Sequence, residues 1–284
     1  MNESDFQTPP PFLQKEIRYA FLVLVALSLL VAVFALSLGL ARLITPPTAK
    51  PETESTDTET SADTEASTEP AQVLLEETAD AGMAYIDRMI FVGESTTAHL
   101  RARGVLSDGG DTKQVWLDET GTKRLSSAIT SELIIYPETG EHLTIADACA
   151  QETPEYIVLS FGLNGLQSFI TNKASYVNNY KKLIRAIQAA SPETKIILQT
   201  VYPICKEGNL AESLDELNAN ILTVSSWLPE IAAAFENVRV VDTASVLRGE
   251  DNALLSIYDN GDGQHLTASA YEAILAYLRT HAWQ

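Results

Sequence analysis

Cysteine is almost missing from this chain: two residues, Cys149 and Cys205, in 284. So few cannot staple a disulfide-dense scaffold. One falls in a predicted helix before a strand and the other in a loop just after a different strand. Those positions lie at opposite ends of a parallel sheet, so no bridge between them is expected. C-x-x-C and H-E-x-x-H are absent, and no His, Cys, Asp and Glu cluster has zinc spacing, so neither a metal nor another cofactor is expected. Positive charge is scarce as well. Lys and Arg number 19 against 38 Asp and Glu, a formal net charge of −19. Without a basic footprint to meet phosphates, nucleic acid is excluded as a partner. No internal repeat is visible, nothing specifies an oligomeric state, and G-x-S-x-G does not occur, which argues against a strained nucleophile elbow.

What is present begins with a hydrophobic run. Residues 20–41, AFLVLVALSLLVAVFALSLGLA, carry no charge. At about 1.5 Å per residue such a run spans roughly the ~30 Å hydrocarbon core of a bilayer. A cleaved signal peptide would have a shorter apolar region, about 7–15 residues, and a small-residue cleavage site. The run reads instead as an uncleaved transmembrane anchor. Lys15 and Arg18 precede it and Arg42 and Lys50 follow it, so flanking charge barely sets the orientation. The long tether and soluble domain beyond it favour a signal anchor, with residues 1–19 cytoplasmic and the domain outside the cell.

Residues 42–80 follow, dominated by Thr, Glu, Ser, Pro and Ala, with almost nothing apolar before Val73. Such a segment cannot bury enough surface to offset its chain entropy and reads as a disordered acidic linker. The folded part is expected at 81–284, long enough for one domain with a real core.

In that part short apolar runs alternate with helical periodicities. Strands are predicted at Met89–Val92, Tyr156–Phe161, Lys195–Val201 and Val238–Asp242. Helices are predicted after Ser95, over Ile145–Ala150, through Tyr176–Ile187, over 213–234 and over Thr267–His281. Strand–helix alternation with continuously apolar strands indicates an α/β fold, a three-layer α/β/α sandwich around a mainly parallel sheet. The Tyr and Leu stripes on the helices read as core.

The chemistry gathers at strand ends. Ser95 follows the first strand at the sheet's carboxyl edge, where open α/β folds bind ligands. Its N–H at a helix start favours a developing anion, although a serine there also serves as a plain N-cap. Gly162-Leu163-Asn164-Gly165 follows the second strong strand, and Asn164 can aim its amide at the same spot or simply make a turn. Gly121 sits in a loop whose N–H is a third donor, or again only a turn. Asp262-Gly263-Gln264-His265 places a carboxylate three residues before an imidazole. Asp262 can hold Nδ1–H and leave Nε2 to accept a hydroxyl proton. Of the other histidines, His99 is expected to point away on the Ser95 helix, His142 lies in a polar loop and His281 near the terminus. The same stretch, DNGDGQHLTASA, fails as a calcium loop. Its third and fifth positions are glycines and its twelfth is Ala270 rather than Glu.

The order of these residues resembles the SGNH hydrolases, the GDSL esterase and lipase superfamily. That resemblance spans residues 85–284 and implies a flavodoxin-like fold. It also implies a Ser95–His265–Asp262 triad and an oxyanion hole made of Ser95, Gly121 and Asn164. Two positions depart from the pattern: the usual Gly-Asp-Ser reads Gly93-Glu94-Ser95, and the aspartate usual after the asparagine is Gly165. The resulting expectation is a membrane-tethered serine esterase removing short acyl groups, such as O-acetyl, from small molecules or surface glycans. An acyltransferase with the same triad, and a catalytically weak binding module, are the alternatives. Trp116 and Tyr202 are candidates for a sugar-stacking surface or for packing.

Overall fold

A computed structural model describes residues 73–121, 123–128, 134–205 and 213–284. Residues 1–19, the run at 20–41 expected to be an anchor, and residues 42–72 of the expected linker lie outside the described residues. Among the described residues no helix is long and apolar enough to cross a membrane.

Seven strands are described: β1 (Met89–Gly93), β2 (Val115–Trp116), β3 (Ile134–Ile135), β4 (His142–Leu143), β5 (Tyr156–Ser160), β6 (Lys195–Gln199) and β7 (Val238–Val241). Five of them form one sheet in the order β2-β1-β5-β6-β7, every neighbour parallel. β3 and β4 make a separate antiparallel pair. Eight α-helices accompany them: α1 (Met83–Ile86), α2 (Ser95–Ala102), α3 (Ile145–Glu152), α4 (Leu166–Thr171), α5 (Lys173–Ala190), α6 (Leu214–Ser225), α7 (Leu228–Ala232) and α8 (Ala268–Thr280).

The strands are apolar throughout because both faces are covered. Ile90, Val92, Ile157, Leu159, Ile196 and Leu198 face one core, shared with α3, α5, α6 and α7. Met89, Phe91, Tyr156, Val158 and Ile197 face the other, shared with α1, α2 and α8. The mainly parallel three-layer arrangement expected from the alternation is the one found.

Helix ends follow local chemistry. A capping box between Ser213 and Glu216 starts α6. The single helix expected over 213–234 is two, because Pro229 sits in the first turn of α7 and has no N–H with which to continue α6. Thr267 caps α8, its hydroxyl accepting from the Ala270 N–H.

The linker was expected to run to residue 80, but the fold already includes Val73. The Leu75 N–H donates to the Val240 carbonyl at 2.9 Å, and the Val240 N–H donates to that of Val73 at 2.8 Å. This strap lies along β7, covering what would be an open sheet edge. It continues to α8, where the Thr78 N–H donates to the Thr280 carbonyl and Asp80 pairs with Arg279 at 3.1 Å. The three apolar residues Val73, Leu74 and Leu75 are what the acidic segment before them lacks.

Candidate active site

The site lies where β1 and β5 release the chain to opposite faces of the sheet. α2 packs in one core, whereas α5 packs in the other. This is the topological switch point at which sheets of this order bind ligands. Gly93 makes the exit possible. A Cβ there would collide with the Ser160 carbonyl and the Thr97 hydroxyl.

Ser95 is the first residue of α2, and the N-cap position belongs to Glu94. The Ser95 hydroxyl is therefore not spent on capping. Its Oγ lies 3.0 Å from His265 Nε2, and His265 Nδ1 lies 2.7 Å from Asp262 Oδ2. The residues paired from sequence thus come together across 170 positions. Asp262 Oδ1 also accepts the N–H groups of His265 and Gln264, at 2.8 and 2.9 Å. Partial burial opposes ionisation of this carboxyl. The two N–H groups and the imidazole outweigh it and hold the group well below the usual carboxylate range. The loop is braced in turn, with Asp259 accepting the Gly263 N–H at 2.7 Å and the Cys205 N–H donating to the Gly263 carbonyl at 2.8 Å. Cys149 and Cys205 are not bridged to each other.

Glu94 is buried and turns its carboxylate away from its own helix. Oε1 accepts the Gly162 N–H at 2.9 Å, while Oε2 accepts those of Leu163 and Asn164 at 3.1 and 3.0 Å. The residue before Ser95 therefore clamps the turn that carries Asn164. Burial pushes its pKa from 4.5 to about 7 despite those three donors and the nearby Arg124. Behind the same turn, Tyr176 and Tyr180 both donate to the Phe161 carbonyl, at 3.2 and 3.0 Å. Part of the tyrosine stripe thus ties down the β5 exit besides filling the core. Gly165, standing where an aspartate is usual, has φ +101°, a conformation that side-chain-bearing residues resist.

The other expected donors are placed differently. The Asn164 side-chain amide donates to the Lys123 carbonyl at 3.2 Å. Gly121 lies beside Ala98 of α2, but its N–H donates to Asp118 Oδ1. The donor expected of Gly121 is therefore occupied in this structure, because Asp118 closes a tight turn three residues back. Trp116 and Tyr202 are buried, which favours packing over sugar stacking. His142 is exposed, 3.8 Å from Glu119, and His281 stacks on Tyr277.

His99 corrects a sequence expectation. Instead of pointing away, it stacks on His265 with ring centroids 4.2 Å apart and planes 27° apart. Residues four apart share a helix face, so the spacing from Ser95 was the available signal. Two fastenings join α2 to the histidine loop and α8. Arg103 Nε donates to the Leu266 carbonyl at 3.1 Å, and the Tyr271 hydroxyl donates to the Thr96 carbonyl at 2.6 Å. An open cleft of about 610 Å³ adjoins the helix, lined in part by Ala98, Arg101, Leu117, Asp118 and Gly121. Among the described residues no three His, Cys, Asp or Glu side chains are grouped to hold a metal ion.

Hydroxyl, imidazole and carboxylate in line at the carboxyl edge of an open parallel sheet are the geometry of a serine hydrolase. Residues 91–273, more than half of the chain, match the GDSL-like Lipase/Acylhydrolase family, and the protein belongs to that family as a serine ester hydrolase. Its fold is similar to a GDSL-like lipase from Bacteroides thetaiotaomicron, with 17% identity over 68% of this chain and 87% of the other, TM-score 0.46. It is also similar to a carbohydrate esterase family 3 protein from Talaromyces cellulolyticus, with 14% identity over 67% and 93%, TM-score 0.43. No curated protein sequence matches it significantly.

Proposed function

We propose that Ser95, His265 and Asp262 hydrolyse short acyl esters, such as O-acetyl groups, on glycans outside the cell. One observation carries the catalytic part: Ser95 Oγ, His265 and Asp262 stand in hydrogen-bonded sequence at 3.0 and 2.7 Å. His265 Nε2 takes the Ser95 proton as Oγ attacks the ester carbonyl. Asp262, an ionised acceptor, keeps Nδ1 protonated and stabilises the imidazolium that forms. The proton passes to the departing alcohol. Water, activated by the same imidazole, then releases the acid and restores Ser95. The Ser95 N–H stabilises the tetrahedral oxyanion, joined by the Asn164 amide and the Gly121 N–H once they turn from the Lys123 carbonyl and Asp118.

The location rests on composition. Residues 20–41 anchor the chain, residues 1–19 stay in the cytoplasm, and the acidic linker carries the hydrolase domain away from the membrane. Glycans suit that location; the open cleft beside α2, lined by charged and apolar side chains alike, leaves room for one next to the helix that carries Ser95.

The test is hydrolysis of p-nitrophenyl acetate by the detergent-solubilised chain beside Ser95→Ala and His265→Ala. Turnover abolished by both substitutions is the expected result. Turnover indifferent to them would overturn the assignment, and its complete absence for every acyl length would favour a binding module. Protease protection of the folded domain on intact cells would overturn the outward orientation.

A further inference from the structure

We propose that His99 is a positioning residue: its imidazole backs the face of His265 and fixes the plane in which Nε2 meets Ser95. The inference rests on the catalytic reading of Ser95 and His265 given above.

The argument is geometric. The Asp262–His265 hydrogen bond fixes one edge of the imidazole, but a ring held at one nitrogen can still roll about that contact. Rolling would swing Nε2 away from Ser95 Oγ, now 3.0 Å distant. A flat surface against one face removes this freedom. His99 supplies it, 4.2 Å away and within 27° of parallel. His99 also rides one turn beyond Ser95 on α2, so nucleophile and backing surface share one rigid element.

The chemistry of His99 fits a backing role. Its Nδ1 is buried without a hydrogen-bond partner, so holding a partner through that atom is not its purpose. Burial, the facing His265 and Arg103 all lower its pKa, opposed only by Asp262. A neutral ring results, and neutrality matters because His265 becomes cationic during turnover. A second imidazolium stacked on it would repel that charge, whereas a neutral aromatic face accommodates a cation.

The experiment compares His99→Ala and His99→Phe with wild-type chain, using Ser95→Ala as the control for the catalytic reading. His99→Ala is expected to lower kcat by about 10- to 100-fold with KM nearly unchanged, the scale of loss when a reacting group is misplaced by about an ångström. His99→Phe, which keeps a flat face, is expected to recover most of that loss. Equal kcat in wild type and His99→Ala would overturn the proposal. So would a loss in His99→Ala that Phe fails to recover while the chain remains folded by circular dichroism.

A second readout does not depend on turnover. The His265 Nδ1–H bonded to Asp262 should give a far-downfield proton resonance in wild type and His99→Phe. In His99→Ala, exchange with water should broaden it beyond detection. Its persistence there would sink the backing role even if Ser95→Ala showed that another nucleophile does the chemistry.

Discussion

Glu94 should make the fold less stable as the pH rises from about 4.5 to about 7. Its carboxyl titrates at about 7 in the folded chain against an ordinary 4.5, because burial costs the charged form more than three backbone donors return. Between those values the unfolded chain gives up this proton while the folded chain keeps it. The stability is therefore complete below about pH 4.5, falls through the interval and levels above about 7. A shift of this size corresponds to roughly 3 kcal/mol at about 1.36 kcal/mol per pH unit. Glu94→Gln removes the titration but places an amide N–H₂ against one or two of the Gly162, Leu163 and Asn164 donors. Each buried donor left without an acceptor costs about 1–3 kcal/mol at every pH. The variant should consequently be clearly weaker than wild type at pH 4.5 and nearly equal to it at pH 8. Urea denaturation of both proteins at the two pH values measures the change in their difference, and comparing the two cancels every other titrating group. A gap that stays constant, or widens toward pH 8, would refute the reasoning. Activity should run the other way. Only the ionised carboxylate can accept all three donors, so the Asn164 turn is best held above pH 7.

Asn164→Ala should lower kcat by about 10²–10³ with KM little changed, the usual consequence of removing one oxyanion donor; steady-state kinetics decides it, and an unchanged kcat would remove Asn164 from the hole. Gly165→Asp restores the residue usual in the family but forces φ +101° on a side chain, at a cost of about 1–3 kcal/mol. Its thermal midpoint should therefore drop, and an unchanged midpoint would show that the turn can readjust. A chain beginning at residue 73 should melt above one beginning at residue 81, since the shorter piece lacks the strap along β7. Equal midpoints would make the strap dispensable.

The features legible in the sequence were those encoded locally. β1, β5, β6 and β7 announced themselves as apolar runs, and Asp262–His265 as an i, i+3 contact inside one loop. β2 was missed because Val115–Trp116 is too short to show a period, and the β3–β4 pair for the same reason. Glu94 was visible as a departure from the usual Gly-Asp-Ser. Its three partners were not, since they come from a loop brought alongside only by the parallel pairing of β1 with β5. The membrane anchor and acidic linker remain readings of composition. His99 shows a different failure. Its spacing from Ser95 was visible, but where the shared face pointed depended on how α2 settles against the loop before α8.

Placing Ser95 and His99 on one helix concentrates the mechanical tolerance of the site in a single joint. A small tilt of α2 carries nucleophile and backing ring together and leaves their mutual spacing intact. What it changes is their alignment with His265, which rides with Asp262 on the loop before α8. The Arg103–Leu266 and Tyr271–Thr96 hydrogen bonds are the two bolts across that joint. Loosening either would detune the catalytic alignment as a unit, long before the sheet beneath it gave way.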